Sequence, residues 1–153
     1  MKKVLIAIDD TKGCKAAVKT FIDLFACARP ETVTLLNVQQ FGGKSVLSDR
    51  ISDTDISALV ESLSGTKIQE KMDENSKGVL EAYRQLLEKE GVKGIKPVIK
   101  AGHPAEEILK TAKEEKAEMI IMGSKGRRMH TVLLGSVSRE VVNNADIPVL
   151  VAR

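Results

Sequence analysis

The sequence predicts an α/β fold, a single parallel sheet of five strands with helices on both faces. Short apolar runs alternate with amphipathic segments in the order βαβαβαβαβ. That alternation implies a parallel sheet covered by helices and joined by right-handed crossovers. The first strand, Val4 to Ile8, is a continuous apolar run, as a strand buried on both faces requires. The length, 153 residues, fits a single domain over residues 1–153, large enough to bury roughly 68–70% of its unfolded surface.

The elements follow in order. After Val4–Ile8 a helix is expected from about Thr11 to Ala28, with Ala17, Phe21, Leu24 and Ala28 on one stripe at helical spacing. Asp10 or Thr11 can cap its start, and Pro30 lies just past its end. Thr32–Val38 is the second strand. From Gln39 to Gly65 the pattern breaks: Gly42-Gly43 marks a loop, and Ile56, Leu59, Val60 and Leu63 could form a short helix within it. A loop this long is either functional, as a lid or partner surface, or a tolerated insertion.

A long helix is expected from Thr66 to Glu90, with Ile68, Met72, Val79, Tyr83 and Leu86 on its buried side and Gly91 as its terminator. Ile95–Ala101 is the third strand. His103-Pro104 opens the next helix, with Pro in the first turn, where its missing N–H costs nothing, and Ile108, Leu109 and Ala112 facing inward. Glu118–Met122 is the fourth strand and Val137–Asn144 the last helix. Pro148–Ala152 is the fifth strand, at an edge, where Pro is tolerated.

Composition narrows the function. Aromatics make up 3% with no Trp, against the stacking platforms of single-strand readers. The net charge of +3 comes from 24 basic and 21 acidic residues. They are mixed along helix-like segments such as Glu106–Lys116, so solvated faces are expected rather than a nucleic-acid surface. Cys14 and Cys27 form no metal or CxxC pattern and read as small buried hydrophobes. No apolar run approaches the length of a membrane span. The N-terminal apolar stretch runs straight into Asp9-Asp10, too short for a signal peptide, so a cytoplasmic location is the expectation.

The segment from Met122 to Ser138 carries the functional signal. It holds Gly123, Gly126 and Gly135, with Ser136 and Ser138 at a helix start. Glycine lets backbone approach a ligand, and free N–H groups at a helix start point toward an anion. It is neither a Walker A loop nor a dinucleotide fingerprint, which would follow the first strand. Ligands on such sheets bind at the carboxyl ends of the strands, where strand order reverses, so Asp9, Val38 and Gly123 should converge there. Asp9 can accept bonds from a ribose or hold a metal; a helix cap suits Asp10 or Thr11 better than Asp9. Lys125, Arg127, Arg128 and His130 form a basic cluster that either neutralises terminal phosphates or is a solvated loop. His103 and His130 have no acid partner at metal-motif spacing, and His103 reads as a helix-start residue. No nucleophile–base spacing is evident, so any hydrolysis should be slow.

Val4–Asp9, Leu35–Val38, Gly102–Ile108, Ile120–Gly126, Leu134–Val141 and Pro148–Val151 together resemble the universal stress protein family over almost the full length. The resemblance implies strand order 3-2-1-4-5, the adenine nucleotide alpha hydrolase-like arrangement, and a homodimer built around the last strand. Many members bind ATP through Gly-x2-Gly-x9-Gly-Ser/Thr. Carried over, Asp9 would contact ribose or phosphate, or hold a Mg²⁺, and Ala7 and Ile8 would line the adenosine. Val38 would meet adenine through its backbone. Met122, Gly123 and Gly126 would flank ribose and phosphates, and Gly135, Ser136, Val137 and Ser138 would hold the phosphates. One departure is that Arg127–Leu134 is eight residues, not nine. The resemblance thus implies a nucleotide-dependent stress-response switch or sensor acting on an unknown protein partner, with no nucleic acid or membrane. Its alternatives are a nucleotide-independent interaction module and, further off, a slow ATPase.

Overall fold

The computed structural model describes residues 1–40, 67–124 and 134–153. Their elements are β1 (Lys3–Ala7), α1 (Lys12–Leu24), β2 (Thr32–Gln39), α2 (Lys67–Lys89), β3 (Ile95–Ala101), α3 (Pro104–Glu114), β4 (Met119–Gly123), α4 (Ser136–Asn144) and β5 (Val149–Ala152). The strands form one sheet in the order β3-β2-β1-β4-β5, and every pairing is parallel. This is the order the resemblance implies. Between Gln40 and Lys67 lies most of the expected long loop, with its short helix; those residues are outside the described set, as are Lys125 to Leu133.

Alternation along β1 explains the layers. Side chains of a strand point to opposite faces in turn. Val4, Ile6 and Ile8 pack with Val33, Leu35 and Ile121 under Cys14, Ala17, Val18 and Phe21 of α1 and Leu80 and Leu87 of α2. Leu5 points the other way, with Leu36, Ile120 and Met122, under Ala105, Ile108 and Ala112 of α3 and Val141 of α4. Both faces are therefore apolar, and the continuous hydrophobic strands follow from that.

Three expectations are corrected. First, α1 stops at Leu24, with Phe25 as its C-cap, and Leu24, Ala28 and Cys27 are exposed. The Arg29 guanidinium folds back to donate to the Ile22 carbonyl at 3.3 Å and the Glu90 carbonyl at 2.9 Å, taking acceptors that helix ends leave open. That contact requires the chain to leave the helical path before Arg29. Second, Cys14 is buried as expected and Cys27 is not. Third, the inner stripe of α2 is turned by about one residue: Ser76, Leu80 and Leu87 are buried, while Leu86 is 41% exposed. Leu86 and Leu87 both fit a helical period with Tyr83, and packing on the sheet selects Leu87. The side chains of Ile68 and Met72 lie outside the described set. Gly91, at φ +79°, ends α2 as the sequence implies.

Candidate functional site

Strand order reverses between β1 and β4, and the loops leaving these two strands meet at their carboxyl ends. Three local devices shape the site. In the β1–α1 turn, Asp9 Oδ1 accepts from the Thr11 N–H at 2.9 Å and from its hydroxyl at 2.5 Å. Thr11 Oγ1 in turn accepts from the Cys14 N–H at 3.3 Å, which makes Thr11 the cap of α1. Asp9 is thus exposed just past the carboxyl end of β1 yet tied to the turn behind it.

The second device is a contact between backbones. A Cβ on Gly123 would lie 2.4 Å from the carbonyl carbon of Gly13, so the end of β4 and the first turn of α1 touch through main chain. The absence of a side chain at Gly123 is required by α1 itself.

The third device closes the two ends of the glycine segment. The Ser124 N–H donates to the Ala152 carbonyl at 2.7 Å, and the Gly135 N–H donates to the Ser124 carbonyl at 2.7 Å. The buried Ser138 hydroxyl lies 3.0 Å from the Ser124 carbonyl and 3.1 Å from that of Gly135. The ends of the shortened segment therefore face one another. Gly135 is the N-cap of α4 and makes no side-chain cap. The first intrahelical bond runs from the Arg139 N–H to the Gly135 carbonyl at 3.0 Å, so the N–H groups of Ser136, Val137 and Ser138 have no acceptor within the helix. They point outward at the positive end of the helix dipole.

The other expected residues fall around this point. Ala7 and Val38 are partly buried on the α3/α4 side. Ile8 is 4% exposed in the core beneath α1 and α2, so it can offer a ligand only main chain, and its carbonyl accepts from Asn37 Nδ2 at 3.0 Å. Met122 is buried and Val137 partly buried, both on the α3/α4 side. Lys125, Gly126, Arg127, Arg128 and His130 lie outside the described residues.

Several contributors were not foreseen. Asn37 fastens the end of β2 to the β1–α1 turn, and a lone amide in an apolar strand was its signal. Gln39 Nε2 donates to Asp73 Oδ1 at 2.9 Å and to Ser76 Oγ at 3.2 Å, and its carbonyl accepts from the Gly102 N–H at 3.0 Å. This buried cluster ties β2, α2 and the turn after β3 together at the same edge. Burial pushes the Cys14 thiol up to about 11, against smaller opposing effects from the Tyr83 hydroxyl and the Asp9 backbone. Burial likewise raises Tyr83, reinforced by its bond to Cys14. Cys14 is therefore a neutral thiol beside the crevice, unsuited to act as a nucleophile.

The model of the Universal stress protein family matches residues 1–153. The chain belongs to the universal stress protein family. It is 31% identical to Universal stress protein MJ0577 of Methanocaldococcus jannaschii over 156 residues, covering 99% of this chain and 94% of that protein. The solved structure of MJ0577 superposes with a TM-score of 0.77 at 30% identity, covering 99% of this chain and 94% of that one. Two further solved structures share the fold. A universal stress protein in complex with cAMP has a TM-score of 0.67 at 18% identity, covering 99% of this chain and 97% of that chain. The universal stress protein from Archaeoglobus fulgidus in complex with dAMP has a TM-score of 0.60 at 18% identity, covering 100% of this chain and 98% of that chain. Among the described residues, no helix of this family member is long and apolar enough to cross a membrane.

Proposed function

We propose that the crevice at the carboxyl ends of β1 and β4 binds an adenine nucleotide, ATP foremost, and that the protein is a nucleotide-dependent stress-response switch or sensor. The observation that carries this is the start of α4, which no side chain caps among the described residues. Its N–H groups at Ser136, Val137 and Ser138 stand beside the end of β4, held there by the Ser124–Gly135 hydrogen bond. Such an array suits phosphate oxygens. The relatives in complex with cAMP and dAMP support the adenine nucleotide class. Asp9 is exposed and uses Oδ1 to hold Thr11, so Oδ2 is the oxygen that would take a ribose hydroxyl or a Mg²⁺ on the phosphates. The neutral Cys14 favours a binding role over covalent chemistry.

A switch requires the ligand to favour one arrangement over another. α4 packs beside β5, the edge strand, where Val149, Leu150 and Val151 are apolar yet only partly buried. We propose that a second copy pairs along this edge and that nucleotide at α4 biases the pairing toward one arrangement, which a protein partner reads. Light scattering at the mass of two chains supports this; a monomer at all concentrations rejects it.

A second reading, a nucleotide-independent interaction module, draws on the same geometry. Gly123, Gly135 and Ser138 are all engaged by the fold itself, so their presence does not require a ligand. Calorimetry of the purified protein with Mg-ATP, AMP and cAMP decides between the two. Saturable heat at one nucleotide per chain is expected. No heat at millimolar ligand rejects the nucleotide reading and leaves the interaction module.

A further inference from the structure

The turn after β3 and the second turn of α4 bring together three metal-ligating side chains, two of them one helical turn apart and the third from a different helix. His103 is the N-cap of α3, and Glu106 lies in the first turn of that helix. Glu140 comes from α4. His103 Nδ1 is 3.9 Å from Glu106 Oε1 and 3.7 Å from Glu140 Oε1, and the three donor atoms lie within 4.8 Å of one another. Nδ1 is shielded from solvent, whereas Glu106 is an exposed side chain with room to adjust.

Charge makes the grouping notable. At the far end of α3, Glu114 and Glu115 face Lys100 and Lys96. Among the described residues, no Lys or Arg pairs with Glu106 or Glu140; each is paired only with His103. Two carboxylates on neighbouring helices converge on one imidazole nitrogen with no fixed cation between them. A cation at their centre would offset their repulsion.

We propose that His103, Glu106 and Glu140 form a site for a divalent transition-metal ion of the zinc class, bridging α3 and α4. Zinc holds imidazole nitrogen and carboxylate oxygen at about 2.0–2.2 Å, so ligand atoms in a tetrahedron stand roughly 3.3–3.5 Å apart. The observed spacings close to that range with a small rotation of the two glutamates. One imidazole and two carboxylates suit zinc and its neighbours better than magnesium, which prefers oxygen donors and keeps its water. The fourth position opens to solvent beside Glu106. Occupied, the site clamps the helix whose N-terminus carries the proposed phosphate contacts.

The test is a titration of the intact, chelator-treated protein with zinc chloride in the absence of nucleotide, so that this proposal and the nucleotide reading fail independently. Calorimetry is expected to give one zinc per chain, with a rise in Tm because the metal binds the folded state. Cobalt(II) should give intense visible bands of low coordination number. H103N and E140Q should each weaken zinc by about tenfold or more, since even residues outside the ligand set cost that much. E106Q alters an exposed side chain, so it keeps the test sound if the other two variants fold poorly, and it should weaken zinc in the same direction. No zinc binding by the unaltered protein, or zinc affinity unchanged in all three variants, overturns the proposal.

Discussion

Gly13 and Gly123 touch backbone to backbone: a methyl group on Gly123 would stand 2.4 Å from the Gly13 carbonyl carbon, 2.7 Å from its oxygen and 2.8 Å from its Cα. No flexible side-chain end is available to yield. Gly123→Ala is therefore expected to separate α1 from β4 and destabilise the protein by about 2–3 kcal/mol, the upper part of the usual overpacking cost. Urea unfolding measures it. A change below about 0.5 kcal/mol would mean that α1 shifts freely.

Ser136→Pro separates the anion site from the fold. Proline at the first helical position gives up only an N–H that the helix leaves open. The preceding residue, Gly135, has φ −68° and ψ 168°, the extended conformation that a following proline demands. Stability should stay within about 0.5 kcal/mol. Nucleotide affinity should fall about tenfold, the loss of one charge-assisted hydrogen bond of about 1.5 kcal/mol. Unchanged affinity would place the phosphates elsewhere.

Ser138→Ala should show the reverse balance in unfolding experiments. The buried hydroxyl holds the Ser124 and Gly135 carbonyls together. Its loss is expected to cost about 1–2 kcal/mol, while Ser136→Ala, at an exposed position, should be nearly neutral. Equal costs for the two substitutions would contradict the clasp.

Thr11→Ala removes the cap of α1 and the anchor of Asp9 together, at an expected cost of about 1 kcal/mol. Asp9→Asn keeps an acceptor for the Thr11 N–H and should cost less. Thermal unfolding of the two variants provides the comparison, and a larger loss in D9N would count against this order.

The cysteines should differ in chemistry. Exposed Cys27 is expected to react with a disulfide reagent at once at mildly alkaline pH, and buried Cys14 only on unfolding. The Cys14 thiol rises from 9.0 to about 11 on folding, so the unfolded chain loses its proton first as pH climbs. Stability is then unaffected below pH 9 and falls between pH 9 and 11, by roughly 1.4 kcal/mol per unit at most. Tyr83, raised in the same sense, extends the fall upward. Cys14→Ala should flatten the lower part of the slope in a series of unfolding curves; an unchanged slope would assign it to other groups.

Much of this was legible in the residues. Apolar runs marked β1 and β4, where both faces of the sheet are covered, whereas β3, at the edge of the sheet, mixes Lys96 and Lys100 among its apolar residues. Gly91 and Pro104 marked the end of α2 and the start of α3 because their backbone preferences act locally. The end of α1 differs from the expectation, since Arg29 turns back to the carbonyl of Glu90, just past the end of α2. The stripe of α2 was misplaced because Leu86 and Leu87 satisfy the same period. Around the candidate site, Asp9 and the residues opening α4 were expected from turn chemistry. The roles of Asn37, Gln39 and Gly13 lie in contacts across strands and helices.

Periodicity and turn residues alone determined that this chain alternates strand and helix, that its sheet is buried on both sides, and where the helix starts face. Those are local properties, fixed by which side chains can share a face and which backbones can turn. Only the tertiary structure decided that Gly123 serves α1, that Ser138 clasps the glycine segment, and that Glu140 meets His103. Such meetings depend on crossovers that bring distant segments to one edge of the sheet, and no spacing along the chain records them.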